Sequence, residues 1–142
     1  MTDAPATPEA MLERLKQSVR KSGFTTMLAA QPLKCWAGES EILLELRPEL
    51  TQHHGFAHGG VIGALADNAC AWAAASVAGD VVTSSYTLHF LGPALGERLR
   101  AKGRVIRAGK RQVTVQADIF AEEGEDSKLV ATALATIARV ER

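Results

Sequence analysis

The sequence predicts an α+β fold in which an antiparallel sheet wraps around one long central helix. From Gly59 to Ala78 the chain is apolar or small on every side, with strong helix formers and no proline, which predicts one helix buried all round. Alternating segments lie on both sides of this helix, and the connections between the later ones are short and carry turn residues. No crossover helix separates those later segments, so their strands should pair antiparallel and curve around the thin, alanine-rich helix.

The 142 residues suit one domain, which we expect over 8–142, and residues 1–7 are predicted to be disordered. Thr7 can cap a first helix that starts at Pro8, and Gly23 is expected to end that helix. Its apolar face carries Met11, Leu12, Leu15 and Val19.

Six strands are expected. Two short strands, 33–37 and 40–47, should form a hairpin that turns at Gly38. Longer strands are predicted after the central helix over 81–90, 97–108, 111–121 and 128–140. Because the connections between these longer strands are short, each is expected to pair with the next along the chain.

Composition excludes several classes of protein. Sixteen basic and sixteen acidic residues cancel, so no overall field draws the chain to nucleic acid or to an acidic membrane. Cys35 and Cys70 form no C-x-x-C pair, and the first residues lack a secretory signal, which together favour a cytoplasmic protein with reduced thiols. Asp67 and Asn68, at the middle of the central helix, argue against its use as a membrane span.

Asp67 is the first candidate functional residue. A carboxylate in the middle of an apolar helix loses hydration, so it must gain a partner or a proton. Carboxylates in such surroundings are frequent at functional sites, although a structural hydrogen-bond network would also account for one. Catalysis by Asp67 is therefore weighed against a purely structural role.

A polar loop leads straight into the central helix. It carries Gln52, His53, His54 and His58, followed by Gly59 and Gly60. The first N–H groups of a helix lack internal partners and carry the positive end of its dipole, so an oxygen with negative charge binds well there. Glycine lets that oxygen come close, which makes Gly60 a predicted substrate contact beside Gly59. A helix start aimed at an oxyanion, with a carboxylate further along, suits hydrolysis of an activated acyl group.

The spacing of these two features constrains the site. Gly59 and Asp67 are eight residues apart on one helix, which is about 12 Å along the axis. One carbonyl group should contact both at about 3 Å during reaction, so they cannot easily come from the same chain. The spacing predicts an active site shared between two subunits.

The histidines of the loop raise the question of a metal. His54 and His58 have helical i, i+4 spacing, but Gly55 lies between them and no H-E-x-x-H motif is formed. No metal site is predicted, and His53 and His54 are expected to be exposed or to line a pocket.

Several motifs together resemble a known family. They are Ala-His-Gly-Gly-Val at 57–61, Leu-Ala-Asp-Asn-Ala at 65–69, Phe-Leu-Gly-Pro-Ala at 90–94 and Gly-Glu-Arg-Leu at 96–99. This pattern resembles the hotdog-fold acyl-CoA thioesterases, in particular the PaaI-like (phenylacetate-pathway) group, over roughly residues 35–140. The resemblance implies a hotdog fold, sheets paired into a homodimer that often stacks into a homotetramer, and two active sites along the seam.

The resemblance also implies roles for individual residues. Asp67 matches the catalytic carboxylate, as nucleophile or as general base for water, and Gly59 matches the N–H that polarises the thioester oxygen. His58 would hold the helix start or the thioester, Gln52 would orient the carbonyl or the water, and Thr83 would position the water. No serine nucleophile is required, because a thioester is already activated and thiolate is a good leaving group.

Other residues are candidates for substrate binding. Arg104, Arg107, Lys110 and Arg111 surround one predicted turn, which is either a solvated turn or a grip on the phosphates of coenzyme A. The resemblance favours the second role. Phe56 is expected either to pack in the core or to line the acyl pocket.

The sequence thus predicts a cytoplasmic, homo-oligomeric hydrolase that cleaves aryl or medium-chain acyl-CoA to free acid and coenzyme A. No cofactor is expected, since coenzyme A is part of the substrate. One alternative is a hotdog dehydratase or hydratase, for which no histidine stands on the helix face that carries the carboxylate. The other is a non-catalytic hotdog protein that binds acyl-CoA or aromatic ligands.

Overall fold

The computed structural model describes residues 4–140. Disorder was predicted for residues 1–7, and the first three of these lie outside the described residues. The helices are α1 (Pro8–Arg20), α2 (Gly23–Leu28) and α3 (Gly59–Ala78). The strands are β1 (Gln31–Trp36), β2 (Glu39–Glu45), β3 (Val81–Phe90), β4 (Arg98–Ala108), β5 (Gln112–Glu123) and β6 (Asp126–Arg139).

The six strands form one antiparallel sheet in the order β1-β2-β4-β5-β6-β3. Helix α3 packs on one face of this sheet and contacts all six strands. Residues of β5 and β6 that point toward α3, among them Val115 and Ile137, are fully buried, whereas their neighbours in sequence are partly exposed. The predicted α+β architecture, a sheet wrapped around a central helix, is confirmed.

One strand pairing differs from the prediction. Strand β3 does not pair with β4, which follows it in the chain, but with β6 at the far edge of the sheet. Strands β3 and β4 are separated by β6 and β5, which is about 14 Å at the usual spacing. The connecting segment 91–97 spans that distance with ease, because seven extended residues reach roughly 23 Å. A short connection therefore did not require neighbouring strands.

The sheet and α3 approach each other most closely at Gly103 of β4. A Cβ atom at this position would lie 2.3 Å from the carbonyl oxygen of Ala69 in α3. The Ser40 hydroxyl donates a hydrogen bond of 2.6 Å to the same oxygen. Glycine is required here because the backbone of the helix occupies the space of a side chain.

The N-terminal segment holds a helix that the sequence analysis missed. Gly23 does not end α1, which stops at Arg20, but begins α2. The Ser22 hydroxyl accepts a hydrogen bond from the Thr25 N–H, so Ser22 caps α2 while the preceding helix ends. The serine directly before Gly23 was the feature of the sequence that indicated the start of a helix.

The burial of α3 also differs from the prediction. Ala64, Asn68, Ala71 and Ala75, which follow one another along one side of the helix, are only partly buried in the single chain. By length and composition α3 could cross a membrane, but 50% of the qualifying window is buried inside the fold, as in the core helix of a soluble protein. The helix is therefore covered by the sheet on one side and less fully on the other.

A charged cluster ties β2, β4 and β5 together on the opposite face of the sheet. Arg98 and Arg100 both donate to Glu122, at 2.9 and 2.8 Å, and Arg100 also pairs with Glu41 at 2.6 Å. The Glu122 side chain is only 12% exposed. Hydrogen bonds from Arg100, and then from Arg98, hold the pKa of Glu122 below its ordinary value.

Candidate active site

Asp67 lies on the side of α3 that faces β3. It is half-buried, and its Oδ1 accepts a hydrogen bond of 2.6 Å from the Thr83 hydroxyl. Thr83 is held by its pairing with Ile137 of β6. The structure thus brings together two of the predicted site residues, and the second carboxylate oxygen of Asp67 receives no hydrogen bond from residues 4–140.

A β-bulge between Thr83 and Ser85 determines what β3 presents to the helix. The extra residue shifts the alternation by one, so that Thr83 is followed on the same face by Tyr86, Leu88 and Phe90. The Tyr86 hydroxyl lies 3.2 Å from the position of a Cβ atom on Gly63, and the Phe90 ring lies at the same distance from that of Gly59. Strand β3 therefore follows the helix face formed by Gly59, Gly63 and Asp67.

Tyr86 was not predicted to be part of the site. Without the bulge, Tyr86 would point to the opposite face of the sheet from Thr83. The consecutive serines at 84 and 85, which interrupt the alternation of β3, are the only sequence signal of that bulge.

The start of α3 offers one free N–H group. Nδ1 of His58 accepts from the Gly60 N–H at 2.8 Å, and the His58 carbonyl accepts from the N–H groups of Val61 and Ile62. Of the first four N–H groups of the helix, only that of Gly59 has no partner within the described residues. The N–H of Gly59 is therefore available to an oxygen outside the helix, whereas the N–H of Gly60 is already bonded to the histidine.

The loop before α3 is a tight turn closed by backbone hydrogen bonds. The Gln52 N–H donates to the Phe56 carbonyl at 2.8 Å, and the Gln52 side-chain oxygen accepts from the His54 N–H. Gln52, Phe56 and Gly59 line one pocket of about 280 Å³ together with Phe90. The loop thus joins three predicted site residues at the Gly59 end of α3.

Asp67 does not line this pocket. It lies two helical turns away, and the side chains of Tyr86 and Leu88 pack against Gly63 between the two positions. Within one chain, the predicted oxyanion donor and the predicted carboxylate are therefore separated.

His53 and His54 are exposed, and their rings lie 4.0 Å apart, with His54 stacked near Phe56. Within residues 4–140, no group of three His, Cys, Asp or Glu side chains is arranged to hold a metal ion.

The basic residues surround the turn between β4 and β5, as predicted. Arg104, Arg107, Lys110 and Arg111 are exposed, and none of them forms an ion pair within the described part of the chain. Arg104 instead donates to Gln116 at 2.7 Å. Nε of Arg139 donates to Gly109 in the turn, and its Nη1 donates to Ala78 at the C-terminal end of α3. The turn therefore lies at the opposite end of α3 from Gly59.

The remaining polar residues of α3 have structural partners. Asn68 donates to the Thr25 hydroxyl at 3.4 Å and so connects α3 to α2. Burial raises the pKa of the Cys70 thiol to about 12, and the negative charge of Asp67 adds to that effect. Burial likewise raises the pKa of Cys35 to about 11. Neither thiol supplies a thiolate nucleophile at neutral pH.

A family model described as the Thioesterase superfamily matches residues 54–128, which include Asp67, the start of α3 and the basic turn. The chain therefore belongs to the Thioesterase superfamily, and hydrolysis of thioesters is the general activity that this membership supports.

Individual proteins with similar sequences or structures are also esterases or thioesterase family members by name. An inferred esterase of Deinococcus radiodurans is 31% identical over 111 residues, which cover 70% of this chain and 75% of that protein. The crystal structure of a thioesterase family protein from Silicibacter pomeroyi superimposes with a TM-score of 0.85, at 27% identity, and covers 90% of this chain and 96% of that one.

A variant of the phenylacetic acid degradation protein PaaI from Thermus thermophilus superimposes with a TM-score of 0.73. The two chains are 31% identical, and the match covers 82% of this chain and 98% of that one. The predicted resemblance to PaaI-like hotdog thioesterases is confirmed.

Proposed function

We propose that this protein is an acyl-CoA thioesterase whose active site is shared between two copies of the chain. The observation that carries the proposal is the separation of Asp67 from the N–H of Gly59, the one N–H at the start of α3 that has no partner among residues 4–140. They are about 12 Å apart along one helix, with Tyr86 and Leu88 packed against the helix between them. A single carbonyl group can contact both only if they come from different subunits.

Strand β3 supports a specific arrangement of those subunits. It is an edge strand that pairs only with β6 within the described residues, and Val82, Tyr86 and Phe90 on it are exposed. Exposed apolar edge strands pair readily with a further strand. A two-fold axis reverses the direction of the second strand, so the Phe90 end of the partner would lie beside the Thr83 end of this chain. Since Phe90 contacts Gly59 and Thr83 contacts Asp67, this pairing brings the partner's helix start to the carboxylate.

The chemistry follows from these contacts. The Gly59 N–H of one subunit binds the thioester oxygen and stabilises the negative charge that develops there. Asp67 of the other subunit attacks the carbonyl carbon, or takes a proton from a water molecule that attacks it. The thiolate of coenzyme A then leaves and takes up a proton. If Asp67 itself attacks, water hydrolyses the resulting anhydride and releases the free acid.

Neighbouring residues prepare this site. The Thr83 hydroxyl fixes one oxygen of Asp67 and leaves the other for reaction. His58 caps the helix and so keeps the N–H of Gly59 as the single donor aimed at the substrate. The side-chain N–H₂ of Gln52 is the group that would orient the carbonyl or the water, and Phe56 would line the pocket beside it. Gly60 leaves room for the substrate without donating to it.

The basic turn between β4 and β5 is proposed to bind the phosphates of coenzyme A. Its exposed cations have no acidic partner in the described part of the chain, so they are available for charge-assisted bonds. The double variant Lys110→Ala with Arg111→Ala should raise KM for acyl-CoA. It should leave KM unchanged for the same acyl group on a short thiol without phosphates. Equal effects on both substrates would contradict this role.

Thiol release tests the proposed reaction. We expect the parent protein to release thiol from some members of a panel of aryl and straight-chain acyl-CoA substrates, and Asp67→Asn to lose that activity while its oligomeric state persists. The aryl or medium-chain preference is expected to show in the same panel. Equal slow release by both proteins would contradict the role of Asp67 and favour a protein that only binds acyl-CoA.

A further inference from the structure

A second pocket lies between α1 and the C-terminal half of α3. Its volume is about 580 Å³, roughly twice that of the pocket beside Gly59. Met11 and Leu15 of α1 form one wall, and Trp72 and Ala75 of α3 form the other. This volume is in the range of pockets that enclose small organic ligands.

The walls of this pocket continue the walls of the candidate site. Ala71 lines the pocket and lies one helical turn beyond Asp67 on the same side of α3. Val81 also lines it and precedes Thr83 by two residues, so both side chains point to the same face of β3. The pocket under α1 therefore begins one helical turn from Asp67 on α3 and two residues from Thr83 on β3, although neither Asp67 nor Thr83 lines it.

In the other direction from Asp67, side chains of β3 pack against α3. The Tyr86 hydroxyl and the Leu88 side chain lie 3.2 and 3.6 Å from the position of a Cβ atom on Gly63. An acyl group whose carbonyl stands beside Asp67 therefore meets packed side chains in the direction of Gly63 and a pocket in the direction of Ala71.

The lining of the pocket suits an apolar group. The Cys35 thiol donates to the Trp72 carbonyl at 3.4 Å, and the Ser76 hydroxyl donates to a carbonyl of its own helix at 2.7 Å. These polar groups are satisfied by the protein and need no partner on a ligand. Arg14 and Asp80 add one charge of each sign to the lining, so their charges cancel.

We propose that this pocket binds the distal, apolar part of the acyl group, and that α1 is therefore a determinant of acyl specificity. The position of the carbonyl in this inference rests on the proposed function. Binding of the free acid to the pocket can be measured without any turnover, so the two ideas can fail separately.

The test fills the pocket from either wall. Ala75→Leu adds three carbons from α3, and Ser18→Leu adds an apolar side chain from α1. The matched control is Ala10→Leu, since Ala10 is exposed on α1 and does not line the pocket. Leucine is a strong helix former, so α1 and α3 should persist in all three variants.

Binding is followed by the emission of Trp72 in a Trp36→Phe background, with octanoate and phenylacetate as the added acids. We expect saturable changes in the parent and in Ala10→Leu, and a Kd raised about tenfold or more in both pocket variants. In the thiol-release assay, kcat/KM for octanoyl-CoA should fall by a similar factor in the pocket variants. The value for acetyl-CoA, which has no distal part, should change less than about twofold.

Two results would overturn the inference. One is a titration in which Trp72 emission does not respond to either acid, or responds equally in the pocket variants and the control. The other is a chain-length preference that changes in Phe56→Leu and not in the pocket variants, since the acyl tail would then lie in the pocket beside Gly59. A parent protein that binds the acids but hydrolyses no thioester would contradict the proposed function and leave the pocket assignment standing.

Discussion

Gly59→Pro removes the proposed oxyanion donor and puts the ring Cδ atom on the same nitrogen, while the start of α3 can be retained. Gly59 is the first residue of α3, a position where proline is favoured because the missing N–H has no partner inside the helix. The preceding residue, His58, has φ −63° and ψ 139°, which is the extended conformation that a following proline requires. The hydrogen bond from the Gly60 N–H to His58 is retained.

The size of the effect follows from the number of donors. Of the first four N–H groups of α3, three are bonded within the chain, so the variant removes the only one that remains. Loss of one oxyanion donor typically lowers kcat by about 10²–10³-fold, or roughly 3–4 kcal/mol. We expect a decrease of that size in Gly59→Pro, with an unchanged melting temperature.

Gly59→Ala is the matched control. Both variants carry a Cβ atom that would lie 3.2 Å from the Phe90 ring, so any adjustment of that ring is common to both. Only the proline variant lacks the N–H group. The assay is thiol release under saturating acyl-CoA, together with thermal unfolding of each variant. If Gly59→Pro keeps more than about a tenth of the activity of Gly59→Ala, the assignment of the oxyanion donor is wrong.

The same variant tests whether the site is shared between subunits. Gly59→Pro and Asp67→Asn should each be inactive, but their mixed dimer contains one site in which both residues are intact. Random refolding together should make half of the dimers mixed, with one of two sites working, so about a quarter of the parental activity should return. No recovery, in a mixture shown to contain mixed dimers, would mean that both residues act from one chain.

Three further predictions concern the packing of the sheet on α3, the carboxylate of the site and the charged cluster. Gly103→Ala should lower the free energy of unfolding in urea by about 2–5 kcal/mol, because its Cβ would collide with the backbone of α3 at Ala69. The control is Gly23→Ala, whose Cβ meets nothing within 4 Å and which should be neutral or stabilising. Equal stability of the two variants would contradict the packing argument. Thr83→Val should lower kcat by about tenfold to a hundredfold through loss of a 2.6 Å hydrogen bond to the carboxylate, and Thr83→Ser should recover most of it. The pKa of Glu122 is lowered in the folded state, so its contribution to stability is complete above the ordinary pKa of 4.5 and is lost as the pH falls through the lowered pKa. In Glu122→Gln, the free energy of unfolding should therefore depend less on pH below 4.5. An unchanged dependence on pH would contradict a contribution of Glu122 to stability.

Much of the fold was predictable from local patterns. The bounds of α3 and β3 match the prediction at both ends, because composition and flanking glycines mark where each element starts and stops. The second helix, α2, was not predicted, because a glycine after an amphipathic helix is typical of a helix end and Gly23 instead begins α2. The strand order was also missed in part, because local patterns give the strands but not which distant strand each one joins.

The candidate site likewise has features that the sequence predicts and features that it does not. The kind of reaction could be predicted from residue types alone, since a carboxylate inside an apolar helix and paired glycines at the start of that helix are an unusual combination. Three contacts could not be predicted in this way: Thr83 contacts Asp67, a bulge turns Tyr86 toward the helix, and His58 leaves the N–H of Gly59 without a partner among residues 4–140. Those contacts depend on the register of β3 against β6 and on its distance from α3, and both are set by residues far apart in the chain.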